Sequence, residues 1–156
     1  MESWYVLQTH FAQEKRAEAH LINQNVECFL PMYTEQVLAG GRAQAVKPQV
    51  LFPRYIFARF DPEVIHTTTI KATRGVSTIV NFGGRQAILP DDVMVALQSR
   101  AVAVPEPERA PLQGERVRIT AGVFEYMEAI RHEPKGDGRA ILLLELFGKL
   151  VRLPLN

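Results

Sequence analysis

The sequence predicts an α+β domain, an antiparallel sheet with flanking helices, followed by a small C-terminal module. Three observations carry that prediction. Aromatic and β-branched runs at Trp4 to Gln8, Leu51 to Phe60 and Thr78 to Phe82 have the length and composition of strands. Gln13 to Asn23 is rich in Ala, Glu, Lys and Arg and nearly free of β-branched residues, which is helix chemistry. The stretch "AVAVPEPERAPLQGE", with Pro105, Pro107, Pro111 and Gly114, reads as a stiff extended linker. The expected division is therefore a domain over residues 1–100, a linker over 101–114 and a tail over 115–156.

Each element has its own signal. The helix at Gln13 presents Ala17 and Leu21 on the side that would pack on a sheet. "NVECFLPMY" returns as a strand that Pro31 confines to an edge or an end. "VLAGGRAQAVKP" reads as an excursion turning at Gly40 and Gly41. In "LFPRYIFARF", Tyr55, Phe57 and Arg59 share one strand face, and Arg54, Ile56, Ala58 and Phe60 the other. "VIHTTTIKATRGV" is read as a solvated β-edge, or as hydroxyls placed to bond something outside the chain. Thr78 to Phe82 ends as a strand at Gly83 and Gly84. In "LPDDVMVALQSR" two acidic residues open a short helix with favourable dipole charges.

The tail has two readings. As a small barrel its strands are Arg116 to Thr120, Phe124 to Arg131, Ala140 to Leu146 and Leu150 to Leu153, turning at Gly122, at Gly136 to Gly138 and at Gly148. As helices, Val123, Met127 and Ile130 fall on one face, and Glu145, Lys149 and Arg152 form a polar stripe. Residues 139–152 hold only Ile141 and Val151 as β-branched residues, which disfavours strands, whereas Gly148 disfavours a helix by about 1 kcal/mol. The two preferences stay balanced.

Composition bounds the chemistry. The 156 residues are 47% apolar and 22% charged, a globular composition. Eighteen Lys and Arg against seventeen Asp and Glu leave a net charge of +1, which argues against a nonspecific polyanion binder. Cys28, the single cysteine, excludes an internal disulfide and a cysteine-based zinc site. With no leader-like N-terminus and no apolar run near the ~20 residues that span a bilayer, a cytoplasmic monomer away from the membrane is expected. The phosphate-binding glycine loops, zinc-binding HExxH and nucleophile elbow are missing, and the four histidines are scattered, so no enzyme activity, cofactor or metal is expected.

Two surfaces remain. Gln13, Arg16, His20 and Gln24 recur along one stripe of the first helix, and Gln and Arg donate bidentately to phosphates and base edges. Pattern alone favours a solvated face there. Tyr55 and Phe57 share a strand face that suits a partner helix or a sheet core, and Arg74 in "ATRGV" suits a phosphate or a turn cap.

Taken together, "SWYVLQTH", "LFPRYIF", "TRGVSTIV" and "LPDDVMVAL", in that order, resemble the N-terminal domain of the NusG family of transcription elongation factors. "GERVRITAGVFEYMEAI" with "LLLELFGK" resembles the family's C-terminal KOW module, and "FDPEVIHTTTIKATRGVS" is most similar to the specialised RfaH branch, plasmid-carried relatives included. The resemblance implies two grips on RNA polymerase. His66, Thr67, Thr68 and Thr69 would meet the gate loop of the β subunit, and Tyr55 and Phe57 the β′ clamp helices. It implies that His10, Gln13, Arg16, His20, Gln24, Thr73 and Arg74 contact the exposed non-template DNA strand at an ops-type pause, although His10 and Phe11 stand where the family pattern has a basic pair. It also implies a tail that masks the clamp-helix site as a helical hairpin and, once released, becomes a barrel binding a small-subunit ribosomal protein. The contact between tail and body would use Gln49, Phe124, Met127, Ile130, Arg139, Leu142 and Leu146, with Gln49 facing Arg139 where the branch has an ion pair. Ending at Asn156, the tail stops short of the barrel's usual last strand.

Overall fold

The computed structural model describes residues 2–33, 36–45, 48–82, 84–98, 125–130 and 132–152; the expected linker and Phe124 lie outside them. A five-stranded antiparallel sheet organises the first domain. Its centre is β1 (Ser3–Thr9), which pairs along its length with β7 (Tyr55–Phe60). The other edge of β1 is shared by β8 (Val76–Ile79) and β11 (Ile88–Leu89), and β2 (Glu27–Phe29) closes the far side of β7. Small hairpins decorate this sheet: β3 (Met32–Tyr33) with β6 (Gln49–Val50), β4 (Gln36–Ala39) with β5 (Arg42–Ala45), and β9 (Asn81–Phe82) with β10 (Arg85–Gln86). Gly40 and Gly41 make the expected turn, with φ values of +62° and +78° that suit a two-residue hairpin.

The sheet is buried on both faces, which is why β1 reads as a continuous apolar run rather than an alternating one. One face carries Tyr5, Leu7, Ile56, Ala58 and Phe60 and packs on α1 (Glu14–Asn23) through Ala17 and Leu21. The opposite face carries Trp4, Val6 and Phe57 and packs on α3 (Asp91–Gln98) through Val93, Met94 and Leu97. Tyr55 and Phe57 thus share a face as the strand alternation predicts.

Two stretches depart from expectation. The strand expected from Leu51 starts only at Tyr55, because Leu51 to Arg54 forms a turn in which Arg54 adopts φ +74°. The threonine run is a helix, not a β-edge: α2 (Thr67–Lys71) begins where the His66 ring nitrogen Nδ1 accepts from the Thr68 amide at 3.1 Å. Helix propensity is low for three threonines, so tertiary anchoring decides; Ile70 is fully buried on the α1 side of the sheet.

The tail is helical over residues 125–130 (α4) and over α5 (Gly136–Arg152). Met127 and Ile130 from α4 join Leu143, Leu146 and Phe147 from α5 in the same buried cluster as Phe52, Phe57 and Met94. Each such side chain contributes about 1.5–3 kcal/mol on burial, before the entropy of ordering is subtracted. Of the two readings of the tail, the helical one is the one observed.

Candidate binding surfaces

The first surface lies under the tail. Phe57 is fully buried, flanked by Phe29, by Phe52 and by Phe147 of α5, whose ring meets it edge-on at 6.2 Å. Tyr55 is half-buried against the same cluster, and burial raises its phenol pKa above the usual value, with Arg54 opposing the shift. Leu146 is buried and Leu142 half-buried in the same cluster.

Arg139 fastens the tail to the body. Only 2% exposed, it donates from Nε to the Leu51 carbonyl at 2.8 Å and from Nη1 to the Glu133 and Pro134 carbonyls at 3.1 Å. One guanidinium therefore joins the turn before β7 to the loop before α5. Exposed Gln49 lines the same cleft as Arg139. Gly136 makes the seam possible, since a Cβ there would lie 2.7 Å from Cγ of Pro53. Within the tail, the Lys149 ammonium sits 5.0 Å above the Tyr126 ring.

The second surface is the short helix α2. His66, Thr68 and Thr69 are exposed and Thr67 is half-buried. Because Ile70 roots this helix on the α1 side, the threonine hydroxyls and the Tyr55–Phe57 pair belong to opposite layers of the domain.

The third surface is built around α1. His10, Arg16 and Arg74 are exposed, while Gln13, His20 and Gln24 are partly buried. The Thr73–Gly75 turn is drawn against the helix: Gln24 Nε2 donates to Thr73 Oγ1 at 3.0 Å, and the His10 amide donates to the Gly75 carbonyl at 2.9 Å. Gly75 has φ +92°, and a Cβ there would come within 2.8 Å of the Ala17 backbone nitrogen, so this close approach requires glycine. Thr73 is buried, with its hydroxyl donating to the Thr69 carbonyl at 3.0 Å. Thr73 thus lies beneath the surface, its hydroxyl committed between Gln24 and Thr69 instead of facing solvent.

Three residues outside the expected contact set matter here. Glu14 is buried at the start of α1, and its Oε1 accepts from the Arg54 amide at 3.0 Å. Arg54 in turn holds its guanidinium carbon 5.5 Å from the centre of the Phe11 ring. Only the adjacency of Phe11 to the polar stripe signals this in the sequence. Among the described residues no cluster of His, Cys, Asp and Glu could hold a metal, and no helix is long and apolar enough to cross a membrane.

Residues 2–98 match the profile of a family described as NusG, transcription termination factor nusG. The chain is 22% identical over 169 residues to the transcription termination/antitermination protein NusG of Lactococcus lactis, covering 99% of this chain and 90% of that protein. Identity to the same-named protein of Streptomyces griseus is 26% over 177 residues, covering 94% of this chain but 59% of the longer relative. The Chlamydia trachomatis protein of that name is 23% identical over 165 residues, with 98% and 90% covered. A solved structure concerned with domain interaction in Thermotoga maritima NusG overlays with a TM-score of 0.45 at 17% identity, covering 73% of this chain and 66% of the other.

Proposed function

The chain belongs to the NusG family, and from that premise we propose that it is a transcription elongation factor of the RfaH type, held inactive by its own tail. The observation that carries this reading is the cover over Phe57: α4 and α5 bury the aromatic face that the resemblance assigns to the β′ clamp helices. A chain whose binding face is occupied binds with its intrinsic affinity reduced by the fraction open. Release of the tail would free that face. With His66 to Thr69 on the opposite layer available for the β gate loop, one small domain would then bridge two parts of the polymerase. The second contact forms at high effective concentration once the first is made. Such a bridge holds the clamp shut and suppresses pausing.

Selectivity is assigned to the α1 stripe with His10 and Arg74, which supports contact with the exposed non-template strand at an ops-type pause. The freed tail, in its barrel reading, is assigned to a small-subunit ribosomal protein. A second reading has its own support: the relatives reported above are named NusG, as expected for a general factor without DNA selectivity.

One assay separates these readings. Purified chain is added to RNA polymerase elongating on two templates, with and without an ops-type element, and pause lifetimes and bound factor are measured. Binding and shortened pauses confined to the ops template support the RfaH-type reading. Equal effects on both templates identify a general factor, and an absence of binding to any elongating polymerase refutes both.

A further inference from the structure

We propose that Phe11 and Arg54 form a stacking platform for an unpaired DNA base, beside the polar stripe of α1. This rests on the DNA-binding reading of that stripe and adds a contact of a different kind. Phe11 is 75% exposed, and it is the aromatic residue among the large apolar side chains exposed in the described part of the chain. The Arg54 guanidinium lies over one face of this exposed ring, 5.5 Å from its centre, which leaves the other face as a flat π surface backed by a positive charge. A nucleotide combines a planar base with an anionic phosphate, so this pairing of groups fits it.

The backbone that carries the platform is held in place. Arg54 is pinned from both ends of its peptide: its amide donates to Glu14 Oε1 at 3.0 Å, and its carbonyl accepts from the Thr9 amide at 2.7 Å. The turn that carries Phe11 is closed by the Gln13 amide donating to the His10 carbonyl at 3.1 Å. Two non-glycine residues here lie in the left-handed region, Ala12 next to Phe11 at φ +58° and Arg54 itself at φ +74°. Such strain persists only where surrounding structure enforces it, and it gathers at binding sites.

Beyond the ring lies a cleft of about 520 Å³, of a size that accepts a small ligand. Phe11, Arg54, Lys135 and Arg139 line it, together with two carboxylates, Glu14 and Asp137. Glu14 is buried, with one oxygen accepting from the Arg54 backbone amide, and Arg139 is buried and committed to carbonyls. Arg54 and exposed Lys135 are therefore the cationic groups that could meet a phosphate, with Asp137 as the exposed opposing charge. Stacking tolerates any base, because every base has a π face. The platform would therefore add affinity for an unpaired strand, while Gln13 and Arg16 next to it read edges or phosphates.

The test titrates the full chain with a fluorescent mixed-sequence 12-nucleotide single strand, with the same strand carrying 2-aminopurine, and with its duplex. Variants are Phe11→Ala, Phe11→Trp and, on the stripe, Arg16→Ala. Phe11→Ala should lose about 5- to 150-fold in affinity for the single strand, the range expected for one stacked base. It should also lose the quenching of 2-aminopurine, and Phe11→Trp should restore both. Wild-type affinity and quenching in Phe11→Ala, with weakened binding in Arg16→Ala, would overturn the platform and leave the stripe's role standing. Equal binding of duplex and single strand would also overturn it. If the wild-type chain bound neither form of DNA, the stripe and the platform would both fall.

Discussion

Replacing Phe147 by Ala should open the tail, and the structure sets how far. Phe147 is 1% exposed, and its ring meets Phe57 of the body edge-on at 6.2 Å within one buried cluster. Truncating a buried Phe to Ala costs about 3–5 kcal/mol, including the cavity left behind. Its main aromatic partner lies across the seam, so nearly all of that loss falls on the docked state. At about 1.4 kcal/mol per tenfold, the ratio of open to closed chain rises by roughly 150- to 5,000-fold. Apparent affinity for polymerase should improve by the same factor until the open form predominates. Titration of elongating polymerase with labelled chain measures it, and amide exchange in β7 reports exposure of the face independently. Exposure of β7 to exchange in Phe147→Ala with no tighter binding to polymerase than the parent would show that the tail does not mask a polymerase-binding face.

The neighbouring position should act in the opposite sense. Gly148→Ala places a Cβ 3.9 Å from the Phe82 ring, an ordinary contact, and removes a helix-interior glycine, so it should favour the docked helix by about 1 kcal/mol and lower polymerase binding roughly fivefold in the same titration. Gly136→Ala should loosen the seam, because its Cβ would press on Pro53 at 2.7 Å; faster proteolysis of the tail, with an unchanged exchange pattern on the α1 side of the sheet, is the expected result. Cys28 should resist thiol reagents at pH 8 and react only on unfolding, since burial foremost, then Glu18 and Glu27, push its pKa up to about 12. Because the folded thiol holds its proton longer than the unfolded one, stability from this group is complete below about pH 9 and declines as pH rises towards 12. A chemical-denaturation series across that window would show a rise instead if the assignment were wrong.

Much of the body was legible because its signals are periodic. The alternation in "YIFARF" assigns Phe57 and Ile56 to opposite layers, and the structure seats them in two separate clusters. Turn chemistry was equally plain at Gly40 and Gly41. The failures occur where tertiary contacts overrule local preference. Three threonines look like a strand, yet a His66 cap and the burial of Ile70 bend them into a helix. "LFPR" looks like the start of a strand, but Arg54 takes a left-handed conformation that no glycine announces, held by the Thr9 amide and the Glu14 carboxylate. The surface around α1 shows a related effect at Thr73, which is buried. A hydroxyl that looks available in the sequence is committed between Gln24 and Thr69 in the fold.

The tail's ambivalence follows from the same competition. Helical stability in a folded chain comes mostly from packing an apolar face rather than from propensity, and α5 carries Gly148 in its interior. Its helicity is therefore supplied by what it touches: Phe52, Phe57 and Met94 on the body, and the Leu51 carbonyl that receives Arg139. Helix formation and docking are in consequence one event, so the body's aromatic face acts as a template for the tail, besides the partner-binding role proposed for it above. Anything that competes for that face removes the contacts that make the tail helical. A partner on Tyr55 and Phe57 then need not unwind the tail actively. It only has to hold the face, and the tail loses the contacts that make it helical.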